Sequence, residues 1–298
     1  MPLLSENINR DFLDEVVAGE LVDSYYHLGI TSTDPLIERM RDLRAVVMAG
    51  SGPRIDEFAR QWSSEHGDAE ILVFPKEERF TTRYCAGVLF ISHGMGMPSA
   101  SIAVQELMRL AYFVKRGDLD ALDEIFWVRV GTSGGVGLPG GTIVVSTEGV
   151  MADLQPYRLL DGRGGYHQFD GTFPRDIVEA IIAANDGSGI PITAGRTVAT
   201  NEFFIEQFRL DGAIRLADAA RKTEWLAWLD ENGVRNIEME GAMIAAYLNY
   251  WGFSRFAMVC TTLLNRLEGD QVHSTPEEMH DFVERSGQVV FTYLRTIA

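Results

Sequence analysis

Apolar residues along the chain gather into short β-branched runs, and amphipathic stretches separate them. Continuous apolar runs bounded by turn residues predict buried strands at 43–49, 71–74, 88–92, 125–130, 142–145, 192–200 and 255–264. Three-to-four spacing predicts helices near 55–63, 98–115, 175–184, 223–232, 241–251 and 276–297. In the 98–115 helix Pro98 suits the first turn, and Ile102, Leu107, Leu110 and Val114 are available for the inward face. Thr223 reads as the cap of the 223–232 helix. Residues 151–174 are rich in glycine and predict no regular structure. Strands alternating with helices, with no repeat or linker, predict one α/β domain over 1–298, with 1–24 as an N-terminal extension.

The segment 124–146 departs from this simple pattern. Two apolar runs flank Gly131-Thr132-Ser133-Gly134-Gly135, and Arg129 interrupts the first run. A guanidinium there needs an anion or a carboxylate, because a buried unpaired charge is costly. The glycines and hydroxyls after it read as a tight loop whose N–H groups could surround a phosphate. A glycine-rich turn beside a structural Arg–carboxylate pair fits the same residues.

The net charge of −17 argues against a nucleic-acid or anionic-membrane surface. An acidic protein that takes an anion must concentrate its cations locally, so arginines near glycine matter most. Cys85 and Cys260 both lie in apolar runs and read as buried thiols of a reducing compartment. The first residues lack a signal-peptide pattern and no stretch approaches a membrane span, so a cytoplasmic protein is expected.

Five further places invite a chemical reading. Gly50-Ser51-Gly52-Pro53-Arg54 follows a strand and opens a helix, a geometry that suits phosphate. It is no dinucleotide fingerprint, because Ile55 stands where the third glycine belongs. His27 and His93 lie among apolar or glycine neighbours and read as packing residues, and His93 has no second histidine or cysteine at metal spacing. Phe203, Gln207 and Arg209 offer a ring face and edge donors, though an ordinary amphipathic turn reads the same way. Glu238 and Glu240 stand in an apolar neighbourhood and need partners, either arginines or sugar hydroxyls.

Seven motifs then fall in register from Tyr25 onward: YYHLGIT, AGSGPR, ERF before SHGMGMPS, VRVGTSGG, FxxxQxR, NIEME and LLNRLEGDQ. Together they resemble the uridine phosphorylases of the nucleoside phosphorylase-I superfamily, the animal type more than the bacterial hexamers. The resemblance implies a three-layer αβα fold around a mixed, distorted, partly closed sheet. It implies reversible conversion of uridine, and of deoxyuridine, with phosphate to uracil and a pentose 1-phosphate. Phosphate is then a co-substrate, and no cofactor is expected.

By the same resemblance, Gly50, Arg54, Arg79, Arg129 and Thr132 match the phosphate site. His27, Met239 and Glu240 match the ribose site, and Phe203, Gln207, Arg209, Leu263, Leu264 and Arg266 match the uracil pocket. Arg129, Arg209, Gln207 and Glu240 are the expected catalytic set. A homodimer is implied, with His27 and Arg79 contributed by the neighbouring subunit. Asn265-Arg266 replaces the Ser-Asp pair of purine-specific relatives, which favours a pyrimidine. Phe80 stands where the bacterial enzymes carry a cation-binding glutamate, so no metal site is expected. A phosphorylase of another nucleoside, or a nucleoside-binding paralogue without turnover, remains the alternative.

Overall fold

The computed structural model describes residues 8–76 and 78–297. They form two compact units. The first runs to Val128 and takes in Tyr250–Phe256; the second comprises Arg129–Asn249 and the chain from Ala257 onward.

In the first unit α1 (Arg10–Ala18), the short strands β1 (Ser24–Tyr25) and β2 (Ile30–Thr31) and a 3-10 turn at Pro35–Met40 come first. β3 (Ala45–Ala49), α2 (Gly52–Glu65), β4 (Leu72–Val73), β5 (Thr82–Cys85), β6 (Val88–Ser92), α3 (Met97–Val114) and α4 (Leu119–Asp123) follow. The strands align in the order β3-β6-β5-β4. β3 and β6 are parallel and wholly buried, which is why both read as unbroken apolar runs. A two-residue turn joins β5 to β6, and Ala86 (φ 45°) and Gly87 (φ 78°) both take the left-handed conformation such a hairpin requires. Helix α2 covers β3, β5 and β6. Within the expected N-terminal extension, residues 1–7 lie outside the described residues. The rest carries α1, which buries Leu13 and Val16 and packs on α3.

β7 (Phe126–Gly135) begins in the first unit, where the Phe126 amide donates to the Arg44 carbonyl (2.9 Å). It continues into the second unit, which adds β8 (Ile143–Met151), β9 (Arg158–Leu160), β10 (Tyr166–Gln168), α5 (Arg175–Ala184) and β11 (Ile192–Ala199). α6 (Ala219–Glu231), β12 (Val234–Glu238), α7 (Gly241–Trp251), β13 (Phe256–Asn265) and α8 (Pro276–Ile297) complete the chain. Here the strands run β12-β11-β8-β13-β7, and β12 also pairs with β7, closing the five into a ring. β8, β11 and β12 are mutually parallel, whereas β13 runs antiparallel to β8 and β12 antiparallel to β7. A buried chain of hydroxyls and one carboxamide threads this ring: Ser146 to Thr197 (2.6 Å), Thr197 to Asn236 (2.6 Å), Asn236 to Ser133 (3.0 Å) and Ser133 to the Thr261 carbonyl (3.2 Å). Each of the five strands contributes one member, so these buried polar groups satisfy one another from within. Helices α5 and α6 pack on the outside of the ring; Trp225, Leu226 and Leu229 of α6 join Val198, Val234 and Ile237 in one core cluster.

The expected mixed, partly closed α/β sheet flanked by helices is therefore what forms. Four local expectations change. Gly131–Gly135 is strand, not loop: Gly134 and Gly135 pair with Ile237 and Asn236 of β12. α6 starts four residues earlier than Thr223, because Asp218 caps it by accepting the Arg221 amide (2.9 Å), and the Thr223 hydroxyl bonds back to the Ala219 carbonyl. Ile102 is 41% exposed; Leu107, Leu110 and Val114 do face inward. The 151–174 segment contains the β9–β10 hairpin, all of whose strand residues are exposed. Among the described residues no helix is long and apolar enough to cross a membrane.

Candidate active site

In the first unit the carboxyl ends of the parallel strands β3 and β6 lie side by side, tied by the His93 amide to the Ala49 carbonyl (2.8 Å). Each end opens into a glycine turn that starts a helix. Gly50 and Arg54 flank the beginning of α2, while Gly94 (φ 72°) and Gly96 (φ 83°) lead into α3. Carboxyl ends of parallel strands beside helix N-termini are where α/β proteins place anions. Arg79 sits in an exposed turn before β5. His93 is buried, as its reading as a packing residue requires.

His27 follows β1, and α3 supplies its support. Glu106 accepts the backbone amides of His27 (3.0 Å) and Leu28 (3.2 Å), and its Oε1 lies 2.7 Å from His27 Nδ1. Because the carboxylate accepts, the ring proton sits on Nδ1 and Nε2 is turned away from Glu106. The Phe80 ring lies 5.9 Å from the imidazole. Three residues along α3, Arg109 pairs with Asp23 (2.6 Å) and fixes the other side of the same segment. Glu106 escaped the sequence reading; its signal is that it is the sole carboxylate of a largely apolar helix.

In the second unit Arg129 meets both carboxylates of the 236–240 segment. Its Nη2 pairs with Glu240 and lies 3.1 Å from Glu238, and its Nη1 lies 2.9 Å from Cys260 Sγ. All of these groups are buried, and Arg129 Nε has no hydrogen-bond partner among the described residues. Glu238 also caps the start of α7, accepting the amides of Glu240 and Gly241 at 2.8 Å each. Burial and the neighbouring Glu240 push the Glu238 carboxyl up to about 7, against the pull of Arg129. Burial alone would lower the Arg129 guanidinium, but the two glutamates outweigh it and hold it firmly protonated. Gly131 gives this guanidinium its room, since a Cβ there would stand 2.8 Å from Arg129 Cζ. Thr132 and Met239 are half-buried beside this cluster in sequence.

A second cluster forms around Gln207. The 201–218 segment has no regular structure, and Phe208 anchors it by stacking on Trp225 (4.8 Å) with its own backbone left-handed (φ 52°). Gln207 is buried: its Nε2 donates to Thr200 Oγ1 (3.0 Å), its Oε1 accepts from Arg266 Nη1 (3.1 Å) and its carbonyl from Arg266 Nη2 (2.8 Å). The Arg209 guanidinium lies 4.5 Å from the Phe203 ring centroid and pairs with Asp211 (2.6 Å). Asp270 joins Arg266 (3.1 Å) and Lys222 (2.8 Å). Three cations against two carboxylates leave this cluster one positive charge. Burial lowers the Arg266 guanidinium from its usual range. Asp270 ends below the usual carboxylate range, because Lys222, the Leu210 amide and Arg266 outweigh its burial. Leu263 and Leu264 are half-buried at the end of β13. Gln207, Arg209, Phe203 and Arg266 are thus brought together, and so are Arg129 and Glu240. Lys222 and Thr200 fall outside the sequence-based expectations: the Lys222 partner, Asp270, lies far away in sequence, whereas Thr200 stands seven residues before Gln207.

A family model described as the phosphorylase superfamily matches residues 44–298. Uridine phosphorylase A of Schistosoma mansoni is 33% identical over 92% of this chain and 92% of its own. The inactive uridine phosphorylase B of the same organism is 31% identical over the same shares. A crystal structure of uridine phosphorylase from Schistosoma mansoni in complex with uracil superposes with a TM-score of 0.83 at 33% identity, covering 94% of this chain and 96% of that one. The chain belongs to the phosphorylase superfamily, within its animal-type uridine phosphorylase branch.

Proposed function

We propose that this protein is a pentosyltransferase catalysing the reversible phosphorolysis of uridine, and of deoxyuridine, to uracil and the pentose 1-phosphate in pyrimidine salvage. The observation that carries the reading is the Gln207–Arg266–Arg209 cluster, which combines a fixed carboxamide, an aromatic face and one surplus positive charge. Gln207 has spent one N–H on Thr200 and one lone pair on Arg266, so one donor and one acceptor remain. That pair complements the donor–acceptor edge of a uracil ring. The surplus charge favours uracil as it departs with negative charge developing on its ring.

On this reading phosphate attacks the anomeric carbon as the glycosidic bond loosens into an oxocarbenium-like state. Gly50, Arg54, Arg79, Arg129 and Thr132 hold the phosphate in line, and the rate comes mainly from positioning and electrostatics. The Nε–H of Arg129, without a partner among the described residues, is a buried donor suited to an anionic oxygen. Glu240 takes the ribose hydroxyls, Met239 packs on the sugar and His27 reaches the 5′-hydroxyl. Phe203, Leu263 and Leu264 flank the base, with Gln207, Arg209 and Arg266 at its polar edge. Inorganic phosphate is the co-substrate, with no cofactor. The protein works in the cytoplasm as a homodimer, His27 and Arg79 serving the neighbouring subunit. The family match across both compact units supports one functional domain.

The test is uracil release from uridine with and without phosphate. Release that depends on phosphate supports the reading; its absence with thymidine and purine nucleosides cleaved instead would favour another substrate. A second reading, binding without turnover, draws on the relative named inactive. It predicts that uracil binds while uridine persists in phosphate.

A further inference from the structure

One buried carboxylate joins three separate segments of the base cluster. Asp270 lies in the loop after β13 and is almost fully buried. Its Oδ1 accepts from Arg266 Nε (3.1 Å), at the end of β13, and from Lys222 Nζ (2.8 Å), on α6. Its Oδ2 accepts the Leu210 amide (3.0 Å), and its backbone carbonyl accepts from Arg209 Nη2 (2.9 Å). Two of these contacts reach the loop that carries Gln207 and Arg209, and a third fixes the guanidinium that grips Gln207.

We infer that Asp270 is a positioning residue for the pyrimidine pocket: it sets the Arg266 guanidinium and the 207–210 backbone so that the Gln207 amide presents a fixed edge to the base. This rests on the functional reading above and names how that pocket keeps its selectivity. An ionised carboxylate only accepts, so every donor around Asp270 has one direction in which to point. Without the charge, Arg266 and Lys222 would face each other as buried cations, side chains 1% and 10% exposed, with no counterion between them. The Leu210 amide would lose its acceptor at the same time. Arg266 would swing, and Gln207 would lose both contacts that hold its carbonyl oxygens. A defect of this origin falls on the base and leaves phosphate recognition alone.

The experiment compares the full-length protein with Asp270→Asn and Asp270→Glu. Uridine and phosphate are varied independently in steady-state kinetics, and uracil binding is measured by calorimetry. The glutamate keeps the charge but moves it by one methylene, so it carries the test if the asparagine variant does not fold. The expected result is a rise of about tenfold or more in the uridine KM and the uracil dissociation constant, with the phosphate KM within about twofold of wild type. Unchanged uracil affinity in a folded variant would overturn the inference. So would an equal loss toward uridine and phosphate, which marks a general structural role. A wild-type chain that binds uracil without cleaving uridine would count against the functional reading instead, and the uracil affinities of the variants would still decide the role of Asp270.

Discussion

Arg129 Nη2 lies 3.1 Å from Glu238 Oε2, and both side chains are buried. A second carboxylate, Glu240, shares the same nitrogen. One guanidinium thus holds together the end of β12 and the start of α7, and one of its donors has no partner among the described residues.

Replacing Arg129 by methionine strands two buried carboxylates. The expected cost is about 3–5 kcal/mol, the usual penalty for breaking a buried ion pair from one side. Urea denaturation measures it; a loss below about 1 kcal/mol would show that the glutamates find other partners. Glu240→Gln leaves Glu238 to pair with the arginine, so the fold is retained while kcat/KM for uridine falls by about a hundredfold.

Glu238 makes stability depend on pH. Its folded value of about 7 lies above the ordinary 4.5, so between those values the native state holds a proton that the unfolded chain has released. Its contribution to stability is complete at low pH and declines as pH rises through about 7. Glu238→Gln removes that decline. Denaturation midpoints of wild type and variant should therefore diverge between about pH 5 and about pH 8, the variant gaining relative to wild type. Parallel profiles would mean that Glu238 titrates as an ordinary carboxylate.

A methyl group at Gly134 is expected to disturb the base cluster. Its Cβ would stand 2.8 Å from Arg266 Cγ and 2.9 Å from Cδ, on the guanidinium that holds Gln207. Gly134→Ala should raise the uridine KM by about tenfold while the phosphate KM stays near wild type. Separate titrations of the two substrates check this, and normal uridine kinetics would show that Arg266 yields without consequence.

Glu106→Gln removes the charge that holds the His27 and Leu28 amides and the His27 ring. The carboxamide still accepts one bond but adds a donor facing donors. A loss of about 1–3 kcal/mol is expected, with exchange protection of the two amides falling first. Hydrogen exchange at Leu28 is the direct readout; unchanged protection would mean that Asp23–Arg109 suffices to hold the segment.

What could be read beforehand follows from where each partner lies. β3, β6 and β13 are buried on both faces, so their apolar runs announced them. The β9–β10 hairpin buries nothing and left no pattern to find. Gly131–Gly135 carries the composition of a loop, but its pairing partner is about a hundred residues away in β12, and composition cannot register a neighbour that distant. The same limit governs the clusters. Arg129, Glu238 and Glu240 stood out as charges inside apolar sequence, and each needed a partner. Asp270 and Lys222 sit among polar residues and gave no such sign; Glu106, the sole carboxylate of α3, names no partner in sequence, and only the folded chain brings the partners of all three within reach.

On the proposed function, the carboxamide at Gln207 and the guanidinium at Arg266 recognise a pyrimidine that leaves when phosphate attacks. The most direct measurement is phosphate-dependent uracil release from uridine by wild type and by Gln207→Leu, side by side. The account predicts release of uracil matched by consumption of phosphate in the wild type, and a loss of about a hundredfold or more in kcat/KM for the leucine variant with its fold intact. Wild-type-like cleavage by Gln207→Leu would contradict it.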